Sequence, residues 1–268
     1  MANTEARDVP AAADNPTPPA MRARIMPWLG DRKSQFVEAA LRIDFQASGF
    51  AREVFSHGPL IIAPNHRSLT DTVAIRHALD PVTRARTVTI GARDFFAPAA
   101  TDRHLKWALK ALTCAYVVRT YRVCLINRGD DLGDGVGAIM SALRQNWNVL
   151  LFPEGTRTRT GELGRFRSGV AHVARESGAG VLPVWIEGTE GVMAVGAWGL
   201  RSSTVRLRAG LPIFVRPSES NQAFLERLRG CLLELAHNGR QAGAVGLTGE
   251  RKSPVPTRTH TQDQRSAN

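Results

Sequence analysis

Short apolar, β-branched runs recur along this chain, and stretches with helical periodicity separate them. The runs fall at Leu60–Ala63, Thr87–Ile90, Val123–Ile126, Val149–Phe152, Val181–Ile186 and Val205–Arg208. Helical patterning fills Ser34–Ser48, Asp71–Leu79, Asp102–Ala115, Asp134–Gln145, Ser168–Ser177 and Asn221–His237. Runs without alternation, such as Leu60–Ala63, are strands buried on both faces, which is the signature of parallel pairing under helices. The chain is therefore expected to be α/β, with a mostly parallel central sheet covered by helices on both faces. In such a sheet, reactive side chains gather beyond the carboxyl ends of the strands.

The ends of the chain read differently. Residues 1–20 and 240–268 are poor in apolar period and rich in Pro, Thr, Ala or Arg, so both are expected to be disordered tails. One domain is expected over residues 21–239. There is no secretory signal pattern and no run of 18 apolar residues, so a membrane would be met only from its surface. Two segments, Met21–Phe45 and Asp102–Val118, mix apolar and basic residues in the manner of an interfacial helix or of a helix covering the sheet. Three widely spaced cysteines, Cys114, Cys124 and Cys231, fit reduced thiols in a cytoplasmic setting. A net charge of +11 points to an anionic partner, either nucleic acid or an anionic lipid surface. The chain has only two tyrosines and no basic-aromatic module, which leaves a nucleic-acid-binding protein as the alternative of another class.

Chemistry concentrates in two places. Asn65-His66-Arg67-Ser68-Leu69-Thr70-Asp71 follows the first apolar run and puts a histidine five positions before an aspartate. Histidine is the base nearest neutrality, and a carboxylate on its second ring nitrogen would fix the tautomer. The same residues also match a capping box, with Ser68 as cap and Asp71 at the third helical position. Phe152-Pro153-Glu154-Gly155-Thr156-Arg157 follows the run at Val149. There Pro153 ends the strand, Gly155 permits close approach or a positive φ, and Arg157 offers a planar fork for phosphate oxygens. His66, Arg128 and Glu154 each lie two or three residues past an apolar run. The chain contains no Gly-x-Ser-x-Gly element, no Walker A ending and no histidine at zinc-ligand spacing.

These blocks resemble the glycerolipid acyltransferases related to lysophosphatidic acid acyltransferase. His66 and Asp71 match that family's Asn-His-x-x-x-x-Asp signature. Phe152–Gly161 matches its third block, continued by Phe166-Arg167-Ser168-Gly169, and Val181-Leu182-Pro183-Val184 matches its fourth. The second block departs from the pattern: Arg122 stands where a glycine is expected, Asn127 replaces an acidic residue, and Arg128 is kept. The resemblance covers roughly residues 55–215. It implies an enzyme that moves a fatty acyl group from acyl-CoA or acyl carrier protein to a lysophospholipid hydroxyl in phospholipid biosynthesis. It further implies His66 as base and Asp71 as its orienting partner, with Arg128, Glu154, Gly155, Thr156 and Arg157 at the acceptor headgroup. No metal or cofactor is needed for that chemistry. The acceptor is expected to be 1-acylglycerol 3-phosphate, with a lyso-ornithine lipid as the alternative, and the protein is expected at the cytoplasmic face of an anionic membrane.

Overall fold

A computed structural model describes residues 43–92, 112, 118, 120–126, 132–158, 162–192 and 201–246, with side chains omitted for 132–134 and 239–246. Most of both expected tails, most of the segments at 21–45 and 102–118, and Arg128 lie outside the described residues. The strands are β1 (Asp44–Ser48), β2 (Leu60–Pro64), β3 (Thr87–Ala92), β4 (Val123–Ile126), β5 (Asn148–Leu150), β6 (Gly180–Glu187) and β7 (Thr204–Ala209). The helices are α1 (Asp71–Ala78), α2 (Pro81–Ala85), α3 (Leu132–Arg144), α4 (Gly169–Ser177), α5 (Thr189–Val192) and α6 (Asn221–Gly246).

The strands form one sheet in the order β1-β7-β6-β2-β5-β3-β4. From β6 to β4 every neighbour is parallel, while β7 runs antiparallel to β6 and carries β1 parallel to itself. The sheet is therefore mostly parallel, with a reversed two-strand edge. Alternate residues of β2 serve different cores. Ile61 and Ala63 pack with Val170, Val173, Phe224 and Leu228 from α4 and α6, whereas Leu60 and Ile62 pack with Ala74, Ile75 and Leu79 from the α1 side. Burial on both faces explains why these strands carry no polar alternation.

Two expectations change. Asp44–Ser48 was expected at the end of a helix and is instead strand β1. Its register runs from Asp44 opposite Thr204 to Ser48 opposite Arg208. Of its five residues only Phe45 is even half-buried, stacked on His77 of α1 at 4.5 Å between ring centroids. Its conformation is set by backbone pairing with a distant strand, and no local periodicity encodes such a partner. The last helix also continues through Gly246, past the expected start of the tail at residue 240.

The departure at Arg122 has a conformational meaning. Arg122 adopts φ of 51°, in the left-handed region where glycine is the default. A residue with a Cβ costs about 1–2 kcal/mol there. The backbone is held nonetheless, because Thr89 N–H donates to the Arg122 carbonyl at 2.9 Å and the guanidinium lies 5.3 Å from the Trp147 ring. The turn thus keeps the geometry a glycine would supply, with an arginine in it.

Phe224 of α6 is completely buried against the sheet. Phe224→Ala should lower stability by about 3–5 kcal/mol, read as a shift of the urea midpoint. A change under about 1 kcal/mol would mean that α6 is not part of the cooperative unit.

Candidate functional site

Where β2 ends, the chain is tied sideways before it reaches His66. Asn65 is buried, its Nδ2 donates to the Ile186 carbonyl at 2.9 Å, and Ile186 N–H donates to its Oδ1 at 2.6 Å. The amide thus replaces one peptide of a β ladder and fastens the tip of β2 to the tip of β6. The side-chain oxygen and nitrogen thus each have a partner, as burial requires. Asn65 had no role beyond its place in the motif, and its asparagine beside the histidine is the only trace of this clasp in the sequence.

Asp71 opens α1 and is fully buried. Its Oδ2 accepts three N–H groups: Nδ1 of His66 at 2.8 Å, Arg67 N–H at 2.7 Å and Ser68 N–H at 2.9 Å. A carboxylate oxygen holding two backbone donors can only accept from the ring too, so Nδ1 carries a proton, and in the neutral ring Nε2 is left with its lone pair. The capping-box expectation is half met. The Asp71 carboxylate reaches back to Ser68 N–H, but Thr70 is the N-cap and Ser68 Oγ accepts from Thr70 N–H at 3.3 Å rather than from Asp71. One carboxylate therefore both pins the loop that leads into the helix and orients the imidazole.

The Phe-Pro-Glu-Gly turn meets His66 from the opposite side. Leu151 N–H donates to the Ile62 carbonyl at 2.9 Å, and Gly155 N–H closes the turn on the Phe152 carbonyl at 3.1 Å. The Phe152 ring stacks on the imidazole at 3.9 Å between centroids, inclined by 22°. Thr158 N–H donates to the His66 carbonyl at 3.0 Å. Only 19% of the His66 side chain is exposed, so the ring is clamped by its neighbours yet reachable.

Glu154, expected at the headgroup, has a buried carboxyl group. Its Oε1 accepts His66 N–H and its Oε2 accepts Gly164 N–H, each at 2.8 Å. Burial pushes its carboxyl above the usual range, against the opposing pull of the His66 and Gly164 amides and of the nearby His66 and Arg67 charges. Gly164 is required for this approach, since a side-chain carbon there would lie 2.7 Å from Oε2.

Gly155 has φ of 68°, and the space its side chain would take is filled by Arg167, with Nε 2.5 Å from that point. Thr156 is exposed and Arg157 half-buried on the same turn. Arg167 N–H donates to the Pro153 carbonyl at 2.8 Å, which holds its backbone beside the turn, and its exposed side chain lies over Gly155. The sequence quoted Arg167 only as a continuation of a pattern. Its position over Gly155 depends on a glycine twelve residues earlier in the chain. Arg67 points elsewhere, pairing with Glu190 at 3.2 Å and lying 5.2 Å from the Trp185 ring. Among the described residues no cluster of three or more His, Cys, Asp or Glu side chains could hold a metal ion. Cys124 and Cys231 are half-buried in β4 and α6, and neither is in a disulfide.

Comparison with known proteins places the chain. A family model described as Acyltransferase matches residues 46–187, more than half of the chain. The chain belongs to the acyltransferase family, in keeping with the resemblance carried by its first and third motifs. A chloroplastic 1-acyl-sn-glycerol-3-phosphate acyltransferase, LPAT1, of Arabidopsis thaliana is 39% identical over 75 residues, which is 28% of this chain and 21% of that protein. A chloroplastic 1-acyl-sn-glycerol-3-phosphate acyltransferase of Brassica napus, BAT2, is 36% identical over 76 residues, or 28% and 22% of the two chains. The chain therefore aligns with only about a fifth of the length of these curated relatives. The crystal structure of the 1-acyl-sn-glycerophosphate (LPA) acyltransferase PlsC from Thermotoga maritima superposes with a TM-score of 0.57 at 18% identity, covering 83% of this chain and 80% of that one. That likeness establishes the fold.

The two-sided burial of Glu154 has a testable consequence. Glu154→Gln must turn an NH2 group toward either the His66 or the Gly164 amide. The substitution should cost about 1–3 kcal/mol in chemical unfolding, as for a buried donor left without an acceptor. A cost below about 0.5 kcal/mol would show that the carboxylate does not bridge the two amides.

Proposed function

We propose that this protein transfers a fatty acyl group from a thioester, acyl-CoA or acyl carrier protein, to the hydroxyl of 1-acylglycerol 3-phosphate. The observation that carries the reading is the 2.8 Å contact of His66 Nδ1 with the buried Asp71 carboxylate, which leaves Nε2 as an oriented base. In the reaction, Nε2 takes the acceptor's hydroxyl proton as the oxygen attacks the thioester carbonyl carbon. The tetrahedral intermediate then collapses. A C–O bond is formed, the C–S bond breaks, and the imidazolium returns its proton to the departing thiolate. Asp71 holds the ring and stabilises the imidazolium between the two steps. The base acts directly on the acceptor, so no acyl-enzyme is required.

The headgroup would bind over the Gly155 turn, where Arg157 and Arg167 supply planar forks for phosphate oxygens. Arg128 joins this set by its position after β4 in sequence. Glu154 is assigned a different part: it holds the His66 backbone and does not touch the acceptor. The family, the curated relatives named for 1-acyl-sn-glycerol-3-phosphate and the cationic turn all support a phosphorylated lysolipid.

The protein is further proposed to work at the cytoplasmic face of an anionic membrane. Among the described residues no helix is long and apolar enough to cross a bilayer. The net charge of +11 would favour anionic lipid. The exposed Leu69, two residues before Asp71, offers an apolar contact beside the site.

Thiol release from acyl-CoA or acyl carrier protein should depend on added 1-acylglycerol 3-phosphate. In a folded His66→Ala protein the rate should fall by about 10²–10⁴-fold, with a smaller loss for Asp71→Asn, which keeps the base. Retention of more than about a tenth of the wild-type rate by His66→Ala would overturn the mechanism. Arg157→Lys keeps a charge but loses the fork, so the acceptor KM should rise. Unchanged kinetics with every lysolipid would remove Arg157 from the headgroup site. Vesicles with anionic lipid should bind the protein more tightly than neutral ones, and salt should weaken the difference as screening shortens to about 8 Å at physiological strength. Equal binding to both would refute the electrostatic part.

A further inference from the structure

Helix α6 starts at Asn221, beyond the residues matched by the family model, yet one of its side chains reaches the loop that closes the site. Arg229 is half-buried, and its Nη1 donates to the Gly164 carbonyl at 2.7 Å. The guanidinium also lies 6.0 Å from the ring of Phe166, whose side chain packs on the core formed by α4, α6 and the sheet. Gly164 is thus held on both sides. Its N–H is given to Glu154 Oε2 at 2.8 Å, and its C=O takes a charged donor from α6. Glu154 Oε1 in turn receives His66 N–H at 2.8 Å. An unbroken series of contacts therefore runs from Arg229 through Gly164 and Glu154 to His66.

We infer that Arg229 is a positioning residue for the transfer reaction: it fixes the segment 162–168 so that Glu154 keeps hold of the His66 backbone. The inference rests on the acyl-transfer reading above for its kinetic consequence, though the chain of contacts stands without it. Three physical points favour it. The segment from Leu163 to Arg167 contains no regular secondary structure, so its place depends on a few contacts. Gly164 brings no side chain that could anchor it, and glycine is the residue with most freedom to lose. A hydrogen bond from a charged donor is stronger than a neutral one and suits a single-point anchor. Arg167 follows Gly164 closely and lies over Gly155, so the same anchor also steadies the turn proposed to take the headgroup.

The test uses the full chain carrying Arg229→Met, which keeps the side chain's length and its packing on Phe166 but removes the donor. Arg229→Lys retains a charged N–H donor and serves as the rescue variant. Arg229→Gln, with a neutral donor, takes its place if the methionine variant does not fold. Hydrogen–deuterium exchange would be followed in peptides covering 60–70 and 150–168. Exchange of both segments should rise by at least about tenfold in Arg229→Met relative to wild type, with the rest of the sheet unaffected. With acyl thioester and 1-acylglycerol 3-phosphate, kcat should fall by between about tenfold and a hundredfold, more than the acceptor KM rises, because the misplaced group is the base. Arg229→Lys should recover most of both effects, and Arg229→Gln an intermediate part.

Unchanged exchange in both segments of folded Arg229→Met would overturn the inference. So would a kcat within about twofold of wild type, or a loss that Arg229→Lys fails to recover. If the wild-type protein releases no thiol with any lysolipid, the acyl-transfer reading falls, and the exchange measurement alone decides whether Arg229 holds the loop.

Discussion

Glu154 carries a carboxylate that is shut away from water and receives one amide from each of two loops. Stripping a carboxylate of water costs several kcal/mol, and only charge-assisted hydrogen bonds of good geometry offset it. Here the bonds from His66 and Gly164 are both 2.8 Å, and each donor is a backbone group that cannot swing aside. The geometry at His66 depends on this contact. The backbone of His66 is held by Glu154 and Thr158, its ring by Asp71 and Phe152, and its strand tip by Asn65. Few torsions are left for the imidazole to choose, which is the preorganisation that a base acting on a bound hydroxyl needs.

Division of labour between the two acidic residues follows from what each carboxylate touches. Asp71 contacts the imidazole and so governs the tautomer and the charge of the ring. Glu154 contacts main chain only, and so governs where the ring stands. Both are buried, but their partners differ, and the chemistry of each follows from those partners more than from its exposure. Beyond them lies a cationic rim on the turn that Gly155 makes possible, with Arg167 folded over the glycine and Arg157 beside it. The imidazole and the rim follow adjacent strands, β2 and β5, which pair in parallel through Ile61 with Val149 and Ile62 with Leu150. Parallel pairing puts both strands' carboxyl ends on the same edge, so two motifs some eighty residues apart arrive at one place.

Much of this was legible from residue order. Strands buried on both faces leave runs without charged residues, and β2 to β6 carry them over most of their length, whereas β7 alternates buried Val205 and Leu207 with arginines. His66 and Asp71 are linked by a short turn, so their meeting follows from local spacing and helix initiation. Gly155 announces its positive φ by being glycine. Arg122 does not announce its own, because the conformation there is imposed by Thr89 and Trp147, from β3 and from the residue before β5. Strand β1 was misread for a similar reason: Asp44–Ser48 has one inward apolar residue, and only its pairing with β7 makes it a strand.

By itself, then, the sequence determined the α/β class, the pairing of His66 with Asp71, and the placing of charge on a tight turn. Those features depend on local periodicity, on spacing within a few residues, or on a single residue's conformational range. Only the tertiary structure decided that Glu154 turns inward, that Asn65 clasps β6, that Arg167 covers Gly155 and that Arg229 reaches Gly164. Each of these is a contact between segments far apart in the chain. A side chain's identity says what it can bond to, and the packing of the sheet and helices selects which partner it meets.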